Sequence, residues 1–131
     1  MKPELQYSIL CDDVRQEKNG KFIFIGAFNL ITVQKFPAVY PFFHVSNQWC
    51  AGQGDFREQS RIVNEENQLI AESPEVKFNL KDFTSSHIVI SRFGGIKFQN
   101  PGKYAIEIIL NGELFRRFLF NVLQVNKESA L

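Results

Sequence analysis

A chain of 131 residues with 44% apolar side chains is the size of one domain and can fill a single core. Fifteen basic against fourteen acidic residues leave a formal charge of +1, which excludes the strong uniform field that draws proteins to nucleic acid or to an anionic membrane. No window approaches the roughly 20 apolar residues that span a bilayer, since even the stretch 22–33 is interrupted by Gly26, Asn29 and Thr32. The charged start Met1-Lys2-Pro3-Glu4 has no apolar leader, and Cys11 and Cys50 follow no metal spacing. The expectation is a cytoplasmic protein whose two cysteines are free, buried thiols, with a disulfide as the alternative.

Leu5, Tyr7, Ile9 and Cys11 recur with the period of a strand, and a polar run carries the chain to Asn19-Gly20, a two-residue hairpin signal. The return strand 21–28 is apolar on both faces and is expected at the centre of a sheet. Phe36-Pro37 and Tyr40-Pro41 flank an expected crossover between sheets. A third strand follows, with Phe43, Val45, Asn47 and Trp49 sharing the parity that faces the core, and it stops at Gly52-Gln53-Gly54.

Asp55 and Glu58 have capping-box spacing and would permit a short helix through Arg61. The alternation Phe56-x-Glu58-x-Ser60-x-Ile62, a polar Asn64–Asn67 turn and Leu69-Ile70-Ala71 favour a hairpin. Residues 76–80 read as a half-buried edge strand and 87–93 as another strand, which Gly94-Gly95 breaks before Ile96 and Phe98. Asn111-Gly112 then turns the 104–110 strand into 114–125, and 126–131 reads as a frayed tail after a single domain over 1–125. Eight or nine short strands with these turns make an all-β, two-sheet antiparallel β-sandwich, and fourteen phenylalanines suit the space between its sheets.

Asn100-x-Gly102-x-Tyr104-x-Ile106 resembles the corner of immunoglobulin-like domains in which a tyrosine stands two residues before a buried position of strand F. Here Asn replaces the usual Asp, and Ile106 stands where an antibody domain has cysteine. Trp49 is placed like the core tryptophan of that fold, without a bracketing cysteine pair. A similarity over nearly the whole chain, carried by Cys11–Arg15, Asn19-Gly20-Lys21, Gly52-x-Gly54, Arg61-Ile62, Phe93-x-Gly95-Ile96-x-Phe98 and Gly102-x-Tyr104-x-Ile106, is to a family of small uncharacterised bacterial proteins. It implies a stand-alone cytosolic sandwich of immunoglobulin-like form with no assigned activity.

Asp12, Asp13, Arg15 and Glu17 are the densest charged cluster. They read as solvated strand charge, with a calcium site or a partner-binding patch as the sharper alternatives. His44 and His87 have no partner at metal spacing, neither glycine pair has the context of a phosphate loop, and no nucleophile elbow is present. Catalytic residues, metal and cofactor are therefore expected to be none. Arg116 and Arg117 fall on opposite strand faces, and no RNA-binding aromatic box occurs, so nucleic acid is not an expected partner. The expected function is a non-enzymatic interaction or assembly module that meets a protein partner, or its own copy, along a sheet edge at 76–80 or 114–125. The alternative is a domain that binds a small ligand or divalent ion with its end loops, Asp12–Glu17 and Gly52–Asp55.

Overall fold

The computed structural model describes residues 2–125, so the expected tail 126–131 lies outside the described residues. These form ten strands and no helix: β1 (Glu4–Gln16), β2 (Phe22–Ala27), β3 (Leu30–Val33), β4 (Ala38–Cys50), β5 (Gly54–Val63), β6 (Leu69–Glu72), β7 (Val76–Leu80), β8 (Ser86–Phe98), β9 (Gly102–Leu110) and β10 (Glu113–Gln124). One sheet has the order β2-β1-β4-β8 and the other β3-β10-β9-β5-β6. β7 also pairs with β5, so β6 and β7 line one edge of that strand, at Arg61–Val63 and Gly54–Glu58. The two-sheet sandwich stands, with ten strands rather than eight or nine, and with one parallel pair, β3 on β10.

Strand parity decides what fills the space between the sheets. Phe43, Val45 and Trp49 of β4 are fully buried, and so are Ile62 of β5 and Ile106 and Ile108 of β9, in one continuous cluster. Rings lock this core: Trp49 meets Phe115 edge-on at 4.9 Å and stacks on Phe78 at 5.9 Å. At the corner, Gly102 takes φ +144°, open only to glycine, and the Tyr104 hydroxyl donates to the Asn100 carbonyl at 2.6 Å. That anchors Tyr104 between Phe98 and Phe120, at 4.9 and 5.8 Å.

Residues 54–72 form the hairpin β5–β6, closed at Asn64–Gln68, and the helix permitted by the capping-box spacing does not form. Asn111 and Gly112 take φ +51° and +81°, the paired positive angles of a two-residue turn, with Leu110 opposite Glu113. The first Asn-Gly behaves differently. Gly20 alone turns to positive φ, Glu17 N–H donates to Lys21 O and Gly20 N–H to Glu17 O, so the loop has three residues.

Four other expectations are corrected. β2 is an edge strand, not a central one: Phe22 and Phe24 are half-buried, with Phe24 edge-on to Tyr7 at 6.0 Å, while Ile23 and Ile25 remain 42% and 43% exposed. β3 was hidden in the apolar run that follows β2. Pro41 lies inside β4 rather than in a linker, at the position facing Gly95, where the two strands stay in register but each switches the parity that faces inward. Gly94-Gly95 accordingly does not end β8. It moves the buried positions from Phe93 to Ile96 and Phe98. Finally, 114–125 is not a free edge along its length, because β3 covers Asn121–Gln124.

Candidate functional site

The charged cluster near the N-terminus does not converge. Asp12 Oδ1 accepts the Tyr40 hydroxyl at 2.7 Å, and its Oδ2 sits where a side chain at Gly26 would stand, 2.6 Å from an ideal Cβ. Asp13 pairs with Arg15 at 2.8 Å and accepts the Val14 amide; the Arg15 bond is the main reason its carboxyl lies below the usual range. Glu17 takes part through its main chain in the hairpin loop. Among the described residues no three His, Cys, Asp or Glu side chains stand together as metal ligands. Cys11 is buried, Cys50 partly so, and both are free. His44 Nδ1 lies 3.2 Å from the Asp12 carbonyl and His87 stacks on Phe78. Trp49, Gly102, Tyr104 and Ile106 are built into the core and the corner.

Two other places depart from what a sandwich of this kind requires. The first is inside. Glu58 shares the inward parity of Phe56, Ser60 and Ile62 and is fully buried between the sheets. Its Oε2 accepts Trp49 Nε1–H at 2.5 Å and its Oε1 accepts Asn47 Nδ2–H at 3.2 Å. The three ion pairs among the described residues, Arg15–Asp13, Arg57–Glu75 and Arg61–Glu72, are elsewhere. Burial therefore pushes the Glu58 carboxyl up to about 7, against the opposing pull of its two donors. Asn47 Oδ1 is buried without a partner, as is Ser8 Oγ of the residue facing Asn47 across the β1–β4 ladder.

The second place is the flank where β1 and β10 meet. The chain leaves β2 at Ala27, the Phe28 amide bonds Leu10 O, and β3 then pairs with the far end of β10 in the other sheet. β2 thus covers β1 only at Cys11–Gln16, and β3 covers β10 only at Asn121–Gln124. Among the described residues both sheets are left with a stretch unpaired on its outer side, Glu4–Ile9 on one and Glu113–Phe120 on the other. Between them opens a cleft of about 440 Å³ lined by Ile9, Leu10, Phe28, Ile106, Phe118 and Phe120, with Ser8 also in its wall. Leu119 also lines it and is 62% exposed, and Leu114, earlier on the same strand, is 57% exposed.

Main-chain directions on β10 follow from its bonds to β3. Asn121 N–H reaches Asn29 O and Val125 N–H reaches Val33 O, so odd-numbered residues point their amide and carbonyl away from β9. By that alternation Leu119 and Arg117 direct theirs at the open side.

Residues 6–123 match a family of unknown function, DUF6941. The chain belongs to this family. No curated protein matches its sequence. In fold, this family member is similar to part of a β-glucosidase from Listeria innocua solved with isofagomine, at 11% identity and a TM-score of 0.54. That likeness covers 95% of this chain and 17% of the β-glucosidase, and it concerns the fold alone. A DNA glycosylase, AlkC from Pseudomonas fluorescens, bound to DNA with an abasic-site analogue, is similar over 74% of this chain and 28% of its own, at 11% identity and a TM-score of 0.47.

The sequence offers 114–125 as a partner edge and Glu58 as a capping residue, but neither the cleft beside that edge nor the burial of Glu58 is read from it. For Glu58 the signal was present, since Phe56-x-Glu58-x-Ser60-x-Ile62 puts the carboxylate on the apolar face. The flank depends on which strands stop pairing where, and local pattern does not encode that. No helix is long and apolar enough to cross a membrane among the described residues.

Proposed function

We propose that this protein is a non-enzymatic interaction module, working in the cytosol, that takes an extended segment of a partner protein onto the open flank of its sandwich. The observation that carries this reading is the coincidence of two unpaired strand edges, Glu4–Ile9 and Glu113–Phe120, with the apolar cleft between them. An unpaired edge is a template for another strand, and a monomer ordinarily blunts it with charge, proline or a covering element. Strand addition combines main-chain bonds with pockets for alternate side chains, and this flank supplies both. The bacterial, immunoglobulin-like character implied by the corner and by the family resemblance belongs to the same reading.

Affinity recovery from the source cells tests it with the unaltered chain and with Leu119→Pro, which removes a donor facing the open side but none from the β9 ladder. A partner held by the first and lost by the second is expected. A partner held equally by both would move the interface elsewhere. A strict monomer in sedimentation that recovers nothing would end the interaction reading.

A further inference from the structure

The outer face of the six-stranded sheet carries two rows of side chains that run across its strands and end at the open flank. In one row Glu72 of β6 stands opposite Arg61 of β5, Arg61 opposite Glu107 of β9, and Glu107 opposite Arg117 of β10. The signs alternate at every step, and Arg61 Nε lies 3.8 Å from Glu72 Oε2. In the neighbouring row Leu69, Val63, Ala105 and Leu119 follow one another across the same four strands. The last members, Arg117 and Leu119, are the two residues whose main-chain groups face the open side. Among the described residues Arg117 makes no ion pair, and its side chain donates to Asn67 Oδ1 at 3.5 Å.

We infer that the flank takes a strand bearing a carboxylate opposite Arg117, with an apolar residue opposite Leu119 and another, between them in sequence, pointing into the cleft beside Phe118. The inference rests on the strand-addition reading above and names its partner as an acidic, apolar-alternating segment of a different chain. Directly opposed residues in a ladder share a face, and opposite charges there stabilise the pairing whereas like charges oppose it. A fifth strand with an acid in the charged row continues an alternation already four strands wide.

A second copy paired through its own β10 cannot supply that acid. The outward positions of β10 are Leu114, Arg117, Leu119, Asn121 and Leu123, while Glu113 stands opposite the inward-facing Leu110 and so belongs to the other parity. Antiparallel self-pairing about the middle of the free stretch would instead bring the Arg116-Arg117 steps of the two copies together.

Two capped nonapeptides of valine and threonine around one central residue, glutamate in one and lysine in the other, test the inference. Binding to the full chain is read by fluorescence anisotropy, and site by hydrogen exchange at the Arg117 and Leu119 amides. The glutamate peptide is expected to bind about fivefold more tightly than the lysine peptide at low salt and to slow exchange at both amides. Arg117→Glu should reverse the preference and Arg117→Gln abolish it. Equal binding of both peptides with both amides protected would overturn the charge rule and leave strand addition standing. Failure of either peptide to protect those amides would overturn both. A preference unchanged in Arg117→Gln would place the selectivity at another residue and overturn the assignment.

Discussion

The space around Glu58 and the flank beside Leu119 invert each other. In the first, the Glu58 carboxylate, the Asn47 amide and the Ser60 hydroxyl occupy the middle of a sandwich that is otherwise filled largely with rings and branched chains. In the second, leucines and an apolar cleft face solvent along a strand edge where charge would ordinarily be found. Inside, the Glu58 carboxylate is held by the Trp49 and Asn47 donors, so removing those donors should cost stability. The apolar atoms outside contact little of the chain itself, so removing them should cost binding and leave stability almost unchanged. The contrast separates what holds the fold from what the fold offers.

Trp49→Ala should break the inner region most severely. It removes the largest fully buried side chain, its contacts to Phe78 and Phe115, and the donor to Glu58 Oε2. A loss of roughly 3–5 kcal/mol is expected from the cavity and the unpaired carboxylate together. Denaturant unfolding at pH 6 checks it, and a loss below about 1 kcal/mol would show that the knot around Glu58 is not a structural unit.

The pH dependence of stability is next in size. The Glu58 carboxyl titrates near 7 in the fold, against an ordinary value of about 4.3 once the chain unfolds. Between those values the folded state holds a proton that the unfolded state has released, so stability falls as pH rises from about 4.5 to 7 and levels off above. At ~1.4 kcal/mol per pH unit of displacement, the total is on the order of 3 kcal/mol. Glu58→Gln has no charge to bury and keeps an acceptor for Trp49, while its amide can donate to the unpartnered Asn47 Oδ1 after a turn of the Asn47 side chain. Its stability should be nearly flat over the same range and exceed that of the unaltered protein at pH 8. Parallel pH profiles for the two would assign the dependence to some other group.

Smaller, at roughly 1 kcal/mol, is the effect expected of Tyr104→Phe, which deletes the bond to the Asn100 carbonyl and keeps the ring among Phe98 and Phe120. The residues of this corner were legible in the sequence because a tyrosine corner is local: glycine, tyrosine and the carbonyl it reaches all lie within five residues. Trp49 was legible because its face repeats at every second position. Register was not. A run apolar on both faces, as in β2, suits a central strand, yet this one has a neighbour on one side only, and its Ile23 and Ile25 reach solvent. Arg117 looks like any strand arginine until Glu107, Arg61 and Glu72 are aligned with it from three other strands, between 10 and 56 residues away in the chain.

Leu119→Lys should have the smallest effect on stability and draws the contrast most sharply. The side chain is 62% exposed, opposite Ala105 on an outer face, and its loss uncovers little that folding had buried. Unfolding midpoints should move by no more than ~0.5 kcal/mol, the range of ordinary surface substitutions. A lysine there also places a cation on the edge in the way proteins blunt exposed strands, beside the Arg117 that ends the charged row. Partner recovery should therefore be lost while the fold persists. If instead the variant were strongly destabilised, with its cleft-facing neighbour Phe118 unaltered, the open flank would be part of the packed core, and the separation between a polar knot that stabilises and an apolar edge that binds would fail.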